Sequence, residues 1–253
     1  GKPGLPITFR RNGQGQAIID GQGLRFRLIN LDTLDHIVID GLTLINPEEG
    51  CRNGVINLSK CSDISISNCR MGLDKVINYT SGPFLRAGSC RRLRFENNQG
   101  WGGDYPLTLV GCTDVLIKNN TIVDGTMQGS HIVSSQEVTI INNLWCRPCI
   151  PKKSNQCLLL TNIETDKIVC DYNLFYSPYP THKVGLIRAA NATPVVFGDN
   201  LIDWHANSPF DKHSIQADPR FRDYEKGDFR LQPGSPAIGA GKNGENIGAT
   251  LPE

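Results

Sequence analysis

The chain has 253 residues and a mass of 27.8 kDa, enough for one large domain or two small ones around a buried core. Its 26 Lys and Arg against 25 Asp and Glu leave a formal charge of +1, which argues against a protein built to grip nucleic-acid phosphates. Only 39% of residues are hydrophobic, and the longest apolar runs are a few residues, such as Cys157 to Leu160, so no segment is long enough to span a bilayer.

Taken in chain order, the sequence repeats itself. Short alternating apolar stretches, each followed by Asn, Asp or Gly, recur at Ile18–Gly21, Ile37–Gly41, Ile64–Asn68, Leu93–Asn98, Val115–Asn120 and Val138–Asn143, with looser copies at Val169–Asn173 and Val196–Asn200. With Ile19, Ile39, Ile66, Phe95, Ile117, Ile140, Val169 and Val196 as equivalent anchors, the spacings are 20, 27, 29, 22, 23, 29 and 27. Alternation of apolar and variable positions is the period of a strand with one buried face. The Asn, Asp or Gly that follows tolerates the left-handed backbone of a tight corner. A second short strand resumes after each corner, as at Leu42–Leu44 and Thr121–Val123. A third follows at Val55–Leu58, Phe84–Ala87, Leu107–Val110, His131–Ser134, Leu158–Thr161 and Leu186–Ala189. Three short strands per repeat with no helical period between them describe one coil of a β-solenoid. Cys61, Cys90 and Cys112 stand five residues before their anchors, and Ser135 holds the same place before Ile140. Equivalent positions of successive coils stack about 4.8 Å apart, so these cysteines are expected to form an internal ladder. Asn98, Asn120 and Asn143 are expected to form a second ladder at the corner, bonding coil to coil through their amides.

This pattern resembles the right-handed parallel β-helix family typified by pectate lyases, chondroitinase-type lyases and phage tailspikes. The resemblance covers roughly residues 17 to 201, and it implies an all-β solenoid of about eight coils of 20–30 residues. Three regions are expected: 1–16 as an early coil strand, 17–205 as the coils, and 206–253 as an irregular closing segment packed on the solenoid. Asp218–Phe221 and Gly227–Gly241 look like the closing segment of secreted bacterial members, which implies an extracellular or cell-surface protein. In the family, further strands and a cap usually precede the first coil. A missing upstream segment or a partner is therefore expected at an open strand edge there.

The nine cysteines are odd in number, so they cannot all pair within the chain. Cys146 and Cys149 have the CxxC spacing of zinc and redox sites, with Cys157 nearby. Metal, a local disulfide and free thiols all remain open for these three. Cys61, Cys90 and Cys112 read as small buried hydrophobes.

No strong catalytic motif is present: no phosphate-binding loop, no HExxH and no nucleophile elbow. The paired-aspartate signature of polygalacturonases is missing as well. In pectate-lyase-like β-helices, sugar chains lie in a groove along one sheet, flanked by the longest loops. Counting four back from positions 61, 90, 112 and 135 places Asn57, Arg86, Thr108 and His131 in one outward column, with Arg188 extending it two coils later. The preceding loops carry Asp74, Lys75, Trp101, Asp104, Tyr105 and Asp124. The resemblance implies an acidic polysaccharide as partner, with Trp101 and Tyr105 stacking on sugar rings and Arg86 and Arg188 binding carboxylates. For a lyase, Arg86 is the neutraliser of the uronate, His131 or Lys75 the base, and Tyr105 the acid. For a hydrolase, Asp74, Asp104 and Asp124 are the candidate carboxylates. No organic cofactor is expected. Calcium stays open by resemblance, although Glu48, Glu49, Asp223 and Glu225 are too dispersed to define a site. The competing expectation is a non-catalytic, adhesive or structural solenoid module of a larger assembly.

Overall fold

The computed structural model describes residues 1–48, 54–72, 82–103, 105–125, 129–146, 155–178, 182–189 and 196–251. Three parallel sheets run the length of a solenoid. Sheet A comprises Ile7–Arg10, Asp35–Asp40, Ser62–Ser67, Arg91–Glu96, Thr113–Lys118, Gln136–Ile141 and Ile168–Asp171. Sheet B comprises Ala17–Asp20, Leu42–Ile45, Arg70–Gly72, Gln99–Trp101, Thr121–Val123, Leu144–Cys146, Leu174–Tyr176 and Ile215–Gln216. Sheet C comprises Ile29–Asp32, Ile56–Ser59, Leu85–Gly88, Leu107–Val110, Ser130–Val133, Asn155–Ile163, His182–Ala189 and a final antiparallel strand, Val196–Gly198. Each coil contributes one strand to each sheet.

The period-2 pattern places one apolar column inside each sheet. In sheet A, Ile39, Ile66, Phe95, Ile117 and Ile140 pair in register and are all buried. In sheet B the inner column runs Leu44, Met71, Gly100, Ile122, Trp145 and Phe175. Trp145 and Phe175 stack with their rings nearly parallel, centroids 5.3 Å apart. Gly100 is the one gap in that column, and the Phe84 ring fills it: a Cβ on Gly100 would stand 2.3 Å from the ring. In sheet C the inner column is Leu31, Leu58, Ala87, Leu109, Ile132 and Leu160. Each large buried aliphatic contributes roughly 1.5–3 kcal/mol of transfer free energy, and the columns repeat that gain at every coil.

Two left-handed corners shape each coil. Between sheets A and B the corner residue is Gly41, Asn68, Asn97, Asn119, Asn142 or Tyr172, all at positive φ. Between sheets C and A it is Thr33, Lys60, Ser89, Gly111, Ser134 or Asn162, again at positive φ. The buried cysteines follow this second corner. The thiols of Cys61 and Cys90 donate to the carbonyls of Ser59 and Gly88 at 3.3 Å, and the Cys112 backbone N–H donates to Ser135 Oγ at 3.0 Å. The expected cysteine ladder is therefore present, each thiol bonding the carbonyl two residues back.

The amide ladder is present and longer than expected. Asn98, Asn120, Asn143 and Asn173 are all buried. The backbone N–H of each of the first three donates to the side-chain oxygen of the next, at 2.9–3.0 Å. The ladder ends on Asp211, which accepts from Asn173 Nδ2 (2.9 Å), Ser214 Oγ (2.6 Å) and Trp204 Nε1 (2.9 Å). Trp204 comes from the single α-helix among the described residues, Leu201–Asn207, and closes this end of the core. It fits because Gly185 and Gly198 carry no side chain; a Cβ on either would lie 2.6 Å from it.

Three parts of the expected repeat are corrected. Ile19 belongs to sheet B, paired with Leu44, and the true partner of Ile39 is Phe9. Cys170, not the exposed Val169, stacks on Ile140. Val196 lies on the antiparallel edge strand of sheet C. The solenoid accordingly makes about six turns rather than eight. The second strand of the first coil and the last edge strand carry the same local pattern as a sheet A strand, so the sequence shows more anchors than there are turns.

The C-terminal residues cover sheet B. Phe221, Phe229, Ala237 and Ile247 pack on the outward side chains Val123, Leu144, Cys146 and Leu174 as a second apolar cluster. The expected outward polarity of a solenoid sheet is thus replaced by Val, Leu and Cys where this segment lies.

Candidate functional site

The outward face of sheet C carries the polar column anticipated from the spacing. Register pairs Asn30 with Asn57, Asn57 with Arg86, Arg86 with Thr108, and Thr108 with His131. Burial alternates along these strands, which sets every second side chain outward: Arg86 is exposed, and Asn57, Thr108 and His131 are half-buried. Asn57 Nδ2 donates to Asn30 Oδ1 at 2.8 Å, so the lower end of the column is tied by an amide pair. Arg86 and His131 stand two rungs apart, about 9–10 Å along the sheet, a span that an extended guanidinium stem shortens.

His131 is the best-defined member. Its Nε2 lies 3.3 Å from Thr161 Oγ1, and the Tyr105 ring packs against the imidazole with centroids 5.9 Å apart. Burial, and then the positive charge of Arg188, hold its pKa below the ordinary 6.5. A neutral imidazole with a hydroxyl partner and a phenol alongside can accept a proton.

The structure separates other candidates from this group. Arg188 pairs with Thr161, and Thr161 with Val133, so Arg188 belongs to the adjacent column and does not extend that of Arg86. The positions that follow His131 in register are Leu159 and Leu186, both buried. They keep the outward register of His131 but are apolar and covered, so the polar column ends at His131. Arg188 still reaches the site electrostatically through His131. Trp101 and Asp124 lie on sheet B and its following corner instead of beside sheet C. Trp101 is 6.3 Å from the Phe229 ring, and the buried Asp124 accepts from the Tyr224 hydroxyl. Both are engaged by the C-terminal segment. Asp74, Lys75 and Asp104 lie outside the described residues, as does Cys149. Asn30 and Thr161 were not anticipated; only the register shows that they share hydrogen bonds with the column. Among the described residues, no group of three or more His, Cys, Asp or Glu forms a metal-binding cluster.

The family model described as "Right handed beta helix region" matches residues 8–148. The chain belongs to the right-handed β-helix family. That match covers the coils whose sheet C strands carry Asn30, Asn57, Arg86, Thr108 and His131. No curated protein matches this β-helix. Among the described residues, no helix is long and apolar enough to cross a membrane.

Proposed function

We propose that this β-helix binds an acidic polysaccharide along the outward face of sheet C and cleaves it by β-elimination, outside the cell where such polymers are met. The observation that carries this reading is the grouping of a cation, a neutral imidazole and a phenol on one sheet face: Arg86, His131 and Tyr105. Arg86 pairs with the uronate carboxylate and lowers the pKa of the C5 proton. A ring nitrogen of His131 takes that proton. The electron pair forms the C4–C5 double bond, the C4–O bond breaks, and the Tyr105 hydroxyl protonates the departing oxygen. Thr108, between the two, and Asn57, one rung below, bind sugar hydroxyls. Lyase chemistry is favoured over hydrolysis because Asp124, a candidate carboxylate of the hydrolase reading, is buried against Tyr224 on another sheet.

The test is turnover of uronic and neutral polysaccharides by the full chain. Ultraviolet absorbance of the unsaturated uronate should rise, and Arg86→Ala and His131→Ala should abolish it while the β-sheet circular dichroism is retained. Flat absorbance together with flat reducing ends across these polymers overturns the proposal.

A second reading, a non-catalytic module of a larger assembly, is favoured by the first coil. There Ile7 and Phe9 are about half exposed although their register partners Ile37 and Ile39 are core.

A further inference from the structure

His131 is held by one of its two ring nitrogens. Its strand, Ser130–Val133, lies beside Asn155–Ile163 in sheet C, and the residue directly across from His131 is Leu159, which is buried. Leu159 offers the imidazole no polar partner. Thr161 stands two residues further along that strand, so its side chain shares the outward face. The imidazole reaches diagonally to it, and Nε2 meets Thr161 Oγ1 at 3.3 Å. Among the described residues, Nδ1 makes no hydrogen bond.

This asymmetry bears on which nitrogen carries the proton of the neutral ring. A hydroxyl both donates and accepts, whereas a protonated ring nitrogen only donates and a bare one only accepts. With the proton on Nε2, Thr161 satisfies that donor and the nitrogen left over is a bare acceptor. With the proton on Nδ1, a half-buried N–H is left over instead. Orphaned donors are rarer in proteins than orphaned acceptors, which favours the first arrangement. The first also needs no rearrangement on proton uptake, because both nitrogens of the imidazolium donate and the bond from Nε2 to Thr161 persists. Two groups with charge or a titratable proton face the ring: Arg188, in register with Thr161 on its far side, and Tyr105, whose ring centroid is 5.9 Å away. Arg86 stands two rungs off. Burial and the charge of Arg188 keep the ring neutral.

We propose that Thr161 is a positioning residue for His131: its oxygen accepts from Nε2–H, fixes that tautomer, and leaves the lone pair of Nδ1 as the base of the site. The role of the base rests on the β-elimination reading, whereas the tautomer does not. In that step the C5 proton passes to Nδ1, the C5–H electron pair forms the C4–C5 double bond, and the departing oxygen takes its proton from Tyr105. The imidazolium keeps its Nε2–H on Thr161, and the hydroxyl neither gains nor loses a proton.

Nitrogen NMR of the full chain with ¹⁵N in its histidine rings tests the tautomer, with His131→Gln identifying the signals. Above pH 6.5, the ordinary pKa of the ring, the wild type should show a protonated Nε2 and a bare Nδ1. In Thr161→Val that preference should be lost, and the ring should titrate at lower pH because the imidazolium loses an acceptor. Thr161→Ser, which keeps the hydroxyl, should restore both. On a uronic polysaccharide, Thr161→Val should lower kcat about tenfold with KM little changed, as loss of one buried hydrogen bond does, and the acidic limb of its pH profile should move to lower pH. A proton on Nδ1 in the wild type, or unchanged signals in a folded Thr161→Val variant, overturns the proposal. An unaltered kcat and pH profile in that variant, with the tautomer lost, overturns the positioning role. No turnover by the wild type, alongside the expected signals, overturns elimination and upholds the bond to Thr161, so the two readings fail separately.

Discussion

Asn120 Oδ1 accepts two hydrogen bonds from Asn98, one from its backbone N–H at 2.9 Å and one from its side-chain amide at 3.1 Å. Asn120 Nδ2 in turn donates to the Phe95 carbonyl and to Asn143 Oδ1, both at 2.9 Å. One buried side chain therefore satisfies groups on the coils before and after its own, where water cannot reach them.

Replacing Asn120 by Ala removes all of these partners at once. An orphaned buried donor or acceptor costs about 1–3 kcal/mol, so Asn120→Ala is expected to destabilise the fold by about 2–4 kcal/mol. Denaturant unfolding followed by circular dichroism checks this. A change below about 0.5 kcal/mol, the size usual for an uninvolved surface site, would refute a structural role for the ladder.

At the closed end, Gly185 and Gly198 make room for Trp204. Gly185→Ala drives a methyl group into the indole, and overpacking of this kind costs about 1–3 kcal/mol. The thermal midpoint should fall and Trp204 emission should shift toward that of a more solvated indole. The exposed glycine Gly227, at φ 70° with open space around its Cα, serves as a contrast: alanine there meets no neighbour and should leave that emission unchanged.

His131 links stability to pH. Burial and Arg188 depress its folded pKa below 6.5, so under acidic conditions the unfolded chain binds this proton more readily than the folded one. Stability from this group is complete above pH 6.5. It falls as pH drops from 6.5 toward the lower folded pKa, then levels off. His131→Gln should flatten that part of the stability–pH curve, measured as the denaturation midpoint across mildly acidic buffers. An unchanged slope in the variant would show that other groups carry it.

The thiols give a protection pattern. Burial pushes Cys61 up and Cys69 to about 11; the hydrogen bond to Cys112, with burial, pushes Cys90 up; and burial with the nearby Asp211 raises Cys170. The thiolate is the reactive form. Maleimide labelling read by peptide mass spectrometry should therefore leave Cys61, Cys69, Cys90 and Cys170 unmodified in the native protein and label them fully in denaturant. Rapid native labelling of Cys90 would mean that the ladder opens to solvent.

Much of the architecture was legible from local pattern. The alternation around Ile66, Phe95, Ile117 and Ile140 and the Asn that follows each anchor are short-range signals repeated coil after coil, and repetition turns a weak signal into a register. The place of Asn57, Arg86, Thr108 and His131 followed from that register alone. The second set of corners was not legible, because Thr33, Lys60, Ser89 and Ser134 adopt left-handed backbones that their residue types do not advertise.

By itself, then, the sequence determined the solenoid, its two internal ladders and one polar column, since each depends on side-chain period and corner chemistry within a coil. Tertiary structure decided the rest. It set Phe9 rather than Ile19 beneath Ile39 and moved Arg188 one column aside. It drew Trp101 and Asp124 to sheet B under Phe229 and Tyr224, and it tied His131 to Thr161. The physical reason is common to these cases. Coil length varies, so the neighbour of an outward side chain depends on how loops and the C-terminal segment fold back, and contacts about 100 residues apart, such as Tyr224 with Asp124, leave no periodic trace in the chain.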